Sequence, residues 1–172
     1  MTDQTWMPRE RWDALVRGEG CPLCEECRST ERVNEYGYTV ADLRLSRLRL
    51  AANQFPPGYC VLICTKHVCE PYHLTGEEQS LFFGDMMRAA QAIERVFNPI
   101  KMNFQLLGNL VPHLHAHILP RYYGDPAPGR PIGPGDPVIM LTPQEYEERV
   151  RLIQEALACL AAKMATTQAF PR

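Results

Sequence analysis

Apolar and polar positions alternate over short runs in the middle of this 172-residue chain and recur at helical spacing in two long stretches. Pro8 to Arg17 sets Trp12, Leu15 and Val16 on one side of a short helix, which Gly18-Glu-Gly20 ends. Tyr38 to Asp42 and Leu45 to Leu50 read as strands, and Tyr59 to Thr65, rich in Val, Leu and Ile between turn signals, as a third. Thr75-Gly-Glu-Glu78 has capping-box spacing and opens a helix to about Phe97, with Leu81, Met86, Ala89, Ala90, Ile93 and Phe97 on one face. Lys101 to Leu107 and Val111 to Leu119 are two further strands, separated by a hairpin turn at Gly108-Asn109. Residues 124–137 are too rich in Gly and Pro for helix or ladder and read as a semi-rigid loop. Thr142-Pro-Gln-Glu145 is a second capping box with Pro143 at the first helical position. Behind it Tyr146, Val150, Ile153, Leu157, Leu160 and Met164 form a core or interface stripe.

Three of the five histidines alternate within one apolar run, His113-Leu114-His115-Ala116-His117. Strand side chains alternate faces, so the three imidazoles are expected to line one surface while Leu114 and Ala116 pack the other. Three readings stand. Buried core histidines would each need a hydrogen-bond partner. A trihistidine metal site is disfavoured by length, because a straight strand holds the Cα atoms of His113 and His117 roughly 13 Å apart. Acid-base or covalent chemistry is the third, since imidazole serves as nucleophile, base or acid near neutral pH.

The run His113-Leu-His115-Ala-His117-Ile-Leu-Pro-Arg121 resembles the signature of the histidine triad family of nucleotide hydrolases and transferases. Phe55-Pro-Pro-Gly-Tyr-Cys-Val-Leu-Ile-Cys-Thr-Lys-His67 is similar to the family's Pro-Gly-His strand ending in Pro-Lys-x-His, and Leu107-Gly-Asn-Leu-Val-Pro112 to its polar turn before the triad. The resemblance covers about Val33 to Arg121. It implies an α+β fold, an antiparallel sheet of about five strands with the long helix and the C-terminal helix packed on it. On this reading residues 1–172 are one domain: 1–32 an N-terminal helix and Cys-rich segment, 33–121 the core, 122–141 the Pro/Gly loop, 142–172 the last helix and tail.

The resemblance also implies roles. His115 would attack the α-phosphorus of a nucleotide ester, amide or anhydride, giving a covalent nucleotidyl intermediate. His117 would contact the phosphate and His113 orient its neighbours. Asn109 matches an amide that touches the bridging or leaving atom, beside its plainer reading as a turn residue. Arg121 and Arg130 are candidates for outlying phosphates, or simply solvated cations. Tyr59 stands where many relatives have His, so a phenol is expected to replace an imidazole's hydrogen bond. The family's ribose-binding Asp or Asn aligns with Ala51, and Asn53 lies two residues later as the substitute.

Seven cysteines without a secretory leader read as cytoplasmic thiols or metal ligands. Cys21-Pro-Leu-Cys24 has zinc-knuckle spacing with Cys27 close by, and some family branches complete such a site with residues corresponding to His67 and His113. A structural zinc on Cys21, Cys24, His67 and His113 is therefore expected, with no cofactor for catalysis. Reduced thiols, or a cluster of Cys64, His67 and Cys69, are the alternatives. His73 reads as packing beside the first capping box. A net charge of −2 points to no nucleic-acid or membrane partner. The expected partners are a nucleotide or nucleotide conjugate and a second copy of the chain, since relatives continue their sheet across a two-fold axis. A nucleotide-binding regulatory module with little turnover and a metal-dependent trihistidine enzyme are the competing functions.

Overall fold

The computed structural model describes residues 6–126, 128–133 and 135–168. Two short helices, α1 (Arg9–Val16) and α2 (Pro22–Arg28), precede strands β1 (Val33–Asn34), β2 (Gly37–Asp42), β3 (Ser46–Ala51) and β4 (Cys60–Cys64). A 3-10 turn (Pro71–His73) leads into α3 (Gly76–Phe97), then β5 (Lys101–Gln105), β6 (His115–Arg121) and α4 (Pro143–Gln168). The six strands form one sheet in the order β1-β2-β3-β4-β6-β5, antiparallel at every pair. This is the expected α+β arrangement with one added two-residue strand. None of the described helices is long and apolar enough to cross a membrane.

One face of the sheet makes the core. Leu48, Leu50, Leu62, Ala116 and Ile118 are fully buried against Phe82, Ala89 and Ile93 of α3 and Tyr146, Ile153 and Leu160 of α4. Each large side chain so buried contributes about 1.5–3 kcal/mol. The α3 stripe is rotated from the sequence reading: Phe82 is fully buried while Leu81 and Phe97 are half-buried. Both capping boxes form, Thr75 with Glu78 and Thr142 with Glu145. The Met164 side chain, residues 169–172, and Ala127 and Pro134 of the Pro/Gly loop lie outside the described part.

Asp85 fastens α3 to the sheet. Fully buried, it accepts from the Leu45 amide (2.8 Å), the Ser46 hydroxyl (2.9 Å), Arg88 (2.9 Å) and Arg44 (3.3 Å), so its charge is paired and bonded.

Two local structures differ from expectation. Pro22–Arg28 is helical rather than a bare knuckle, with the Cys21 carbonyl accepting from the Glu25 amide. The β5–β6 connection is no two-residue hairpin, because Gln105 pairs with His117 and residues 106–114 loop out between the strands. Leu114 bonds elsewhere, its amide donating to Val68 and its carbonyl accepting from Cys64, and the strand begins at His115.

Candidate active site

The sheet face opposite the core carries the chemistry. Cross-strand pairing aligns Arg49, Val61, His117 and Gln105 in one row and Arg47, Ile63 and His115 in the next. His115 and His117 meet edge to face with ring centroids 5.1 Å apart. His115 Nδ1 lies 2.6 Å from the His113 carbonyl. A carbonyl only accepts, so Nδ1 carries the proton and a neutral ring keeps its lone pair on Nε2. Burial holds His115 below the usual imidazole range. His117 Nδ1 lies 2.6 Å from the Tyr59 hydroxyl. Burial, with His115 adjacent, pushes His117 down to about 4.

His113 belongs to a second cluster, so the three rings do not share one site. Its side chain is fully buried, and its Nδ1 lies 3.4 Å from Cys21 Sγ, 3.4 Å from Cys24 Sγ and 3.2 Å from His67 Nδ1. Cys24 Sγ is 3.3 Å from His67 Nδ1. The other nitrogens are committed: His113 Nε2 donates to the Cys64 carbonyl (2.7 Å) and His67 Nε2 to the Val16 carbonyl (3.0 Å). Both Nδ1 lone pairs therefore point inward, at each other and at two thiols.

That donor set fits a metal ion. Two facing lone pairs repel unless something positive lies between them, and the four ligand atoms all fall within 4.8 Å of one another. Tetrahedral bonds of about 2.0–2.3 Å would put ligand atoms about 3.3–3.8 Å apart, close to the spacings observed. Burial, reinforced by Cys21, pushes the Cys24 thiol up to about 11, so ion binding has to expel protons. The alternative grouping of Cys64, His67 and Cys69 does not assemble: Cys64 faces the core and lends only its carbonyl. No cysteine is in a disulfide.

The remaining expected residues are dispersed. Asn109 is exposed in the 106–114 loop, after Gly108 at φ +73°. Asn53 bonds the backbone: its Oδ1 accepts from the Phe55 (3.0 Å) and Ile139 (2.9 Å) amides and its Nδ2 donates to Pro137 (3.3 Å). Arg121 is buried and bonds Asp125, Asn103 and the carbonyls of Pro126 and Arg130. Arg130 pairs with Asp136. His73 is exposed and stacks edge to face on Tyr72. Gln105, beside His117 and donating to the Ile132 carbonyl (3.3 Å), was not anticipated, because only the strand register brings it there. A small cleft lined by Cys69, Pro71, Leu106, Leu107 and Gly108 opens beside His113 and His115.

Known proteins resemble this chain over its core. The family model for the HIT domain matches residues 34–124. A Mycobacterium tuberculosis protein described as AP-4-A phosphorylase is 30% identical over 98 residues, 54% of this chain and 50% of that one, so the chain spans about half its length. Protein hit of Bacillus subtilis is 32% identical over 112 residues, 60% of this chain and 72% of that one. A crystal structure of a histidine triad protein from Mycobacterium smegmatis, described as Zn-bound, superposes with a TM-score of 0.61 at 20% identity, covering 84% of this chain and 97% of that one.

Proposed function

Because the chain belongs to the histidine triad family, we propose that it is a nucleotide hydrolase or nucleotidyltransferase working through a covalent nucleotidyl-His115 intermediate. The observation that carries this reading is the 2.6 Å bond from His115 Nδ1 to the His113 carbonyl, which leaves Nε2 unprotonated on a buried ring. In the first step an Nε2–P bond forms at the α-phosphorus and the bond from phosphorus to the leaving group breaks. The leaving group departs with the electron pair and takes a proton from solvent. Water or another acceptor then attacks phosphorus, the Nε2–P bond breaks, and the acceptor's proton returns to solvent. Imidazole suits both steps, as a fair nucleophile and, once phosphorylated, a good leaving group.

His117 lies beside the nucleophile to meet the phosphoryl oxygens, and Asn109 is assigned to the bridging or leaving atom. Asn53 and Arg121 serve at one remove, by pinning the loop after β6 rather than by touching nucleotide. The name of the M. tuberculosis relative makes a dinucleoside polyphosphate one substrate class, and nucleoside phosphoramidates present the same α-phosphorus. Zinc is the metal assigned to Cys21, Cys24, His67 and His113, where it would cross-link the segment before β1 to the start of β6. A trihistidine catalytic metal does not fit, since the group of residues able to hold an ion takes His113 without His115 or His117. The assembly proposed is a homodimer joined through β5, an edge strand whose Phe104, with Leu106 just after the strand, is about one-third exposed.

The test screens adenosine and guanosine phosphoramidates and dinucleoside polyphosphates, with mass spectrometry of protein quenched during turnover. A nucleotidyl adduct on His115 is expected. His115→Asn should lose turnover by on the order of a thousandfold or more while still binding nucleoside monophosphate. Nucleotide binding with neither adduct nor turnover would instead mark a regulatory binding module.

A further inference from the structure

His115 and His117 are two residues apart on one strand, yet their Nδ1 atoms meet chemically opposite partners. The His113 carbonyl beside His115 can only accept. The Tyr59 hydroxyl beside His117 can donate or accept. Its surroundings decide which. Among the described residues this hydroxyl has no other hydrogen-bond partner. If it accepted from an Nδ1–H, its own O–H would go unpaired in a largely buried position, which is penalised. The phenol is therefore the donor and Nδ1 the acceptor, which places the single proton of a neutral His117 on Nε2. Burial keeps both groups in the required form, raising the phenol to about 12 and lowering His117 to about 4.

The backbone delivers the phenol to a defined place. The Tyr59 carbonyl accepts from the Ala51 amide (3.0 Å) and the Gln54 side chain (3.0 Å), and its amide donates to Pro56 (3.1 Å). Gly58 precedes it at φ +83°, where a Cβ would lie 2.6 Å from the Phe97 ring. Only glycine fits that approach.

Building on the nucleotidyl-histidine reading, we propose that Tyr59 is a positioning residue that fixes the tautomer of His117, so that the paired imidazoles offer the substrate opposite groups. His115 presents a bare Nε2 for attack on phosphorus. His117 presents an Nε2–H for donation to a phosphoryl oxygen. Two like side chains are thereby assigned nucleophile and donor by what touches their far nitrogens.

The experiment is nitrogen-15 NMR of histidine-labelled, substrate-free protein, beside kinetics with adenosine 5′-phosphoramidate. In the wild type His115 is expected to show a pyrrole-type Nδ1 and pyridine-type Nε2, and His117 the reverse. Tyr59→Phe keeps the ring and removes the donor. It should move His117 towards a mixture of tautomers, leave His115 unchanged, and lower kcat about 2- to 12-fold, the range of one neutral hydrogen bond. Tyr59→His, which can again donate to Nδ1, should restore the His117 signature and most of kcat. A pyrrole-type Nδ1 on wild-type His117, or an unaltered His117 spectrum in Tyr59→Phe, overturns the proposal. Because the spectra need no substrate, opposite tautomers in a chain that forms no adduct would support the positioning role and sink the covalent mechanism alone.

Discussion

Replacing Cys21 by Ser should strip the metal from the chain and lower its melting temperature by roughly 5–11 °C. Cys21 is only 1% exposed, and its sulfur faces the fully buried His113 across 3.4 Å. A ligand that binds only the folded chain stabilises it by about 2.7 kcal/mol when present at about 100 times its Kd. For a domain of this size each kcal/mol shifts the midpoint by about 2–4 °C, which gives the stated range. Serine nearly conserves the side chain's shape, so lost packing adds little. Metal analysis of protein purified without chelator should find about one zinc per chain in the wild type and almost none in Cys21→Ser. Calorimetry with a chelator should lower the wild-type midpoint to that of the variant and leave the variant where it is. The gap should widen as pH rises, because the Cys24 thiol, pushed up to about 11 by burial beside Cys21, must release its proton to bind. Chelation should also reduce kcat, since the peptide of His113 holds the proton of His115. A wild type with no bound metal, or with the same midpoint before and after chelation, refutes the reasoning.

The depressed His117 makes stability fall on acidification: between its folded value of about 4 and about 6.5 for a free imidazole, the unfolded chain binds a proton that the native chain does not. Denaturant unfolding of the chelated protein from neutral pH down to about 4 should therefore show stability declining below about 6.5, with the decline shallower in His117→Asn; an unchanged slope in that variant refutes the assignment. If two copies pair through β5, sedimentation at micromolar concentration should give twice the chain mass, and Phe104→Glu at the 36% exposed edge position should yield monomer. A monomeric wild type refutes the pairing.

The parts legible in the sequence were those written locally. Both capping boxes are four-residue patterns, and both long helices start where those patterns place them. The strands β2 to β4 were legible from apolar runs between turn signals, because each buries one face against α3 and α4. Asp85 was not legible, since a carboxylate on a helix face reads as solvated until four donors, three of them in the β2–β3 turn and at the start of β3, are seen to converge on it. Helix α2 escaped for a related reason: seven residues with two cysteines and three charges carry no apolar stripe. What sets it is tertiary, through Cys24 in the ligand cluster and Glu26 paired with the buried Arg49. The start of β6 was missed because the Leu114 backbone is claimed by Val68 and Cys64 rather than by β5.

The alternation of the histidines was visible in the sequence, but the division of labour among them was not, and it turns on a single peptide. His113 gives its ring to the cysteine cluster and its carbonyl to His115. With the ring held at Nδ1 by the cluster and at Nε2 by the Cys64 carbonyl, the residue has little freedom to rotate, and its carbonyl is aimed with it. Two-residue spacing then serves a purpose beyond strand alternation: it puts the acceptor one peptide before the nucleophile on the same chain, where no loop or partner element has to close for the tautomer to be set. His117, two residues further on, is beyond that carbonyl's reach, so its tautomer has to come from another strand segment, and Tyr59 is the side chain that reaches it. The site thus takes one constraint from the metal-binding end of the strand and the other from the turn before β4, and damage at either end should disturb a different histidine.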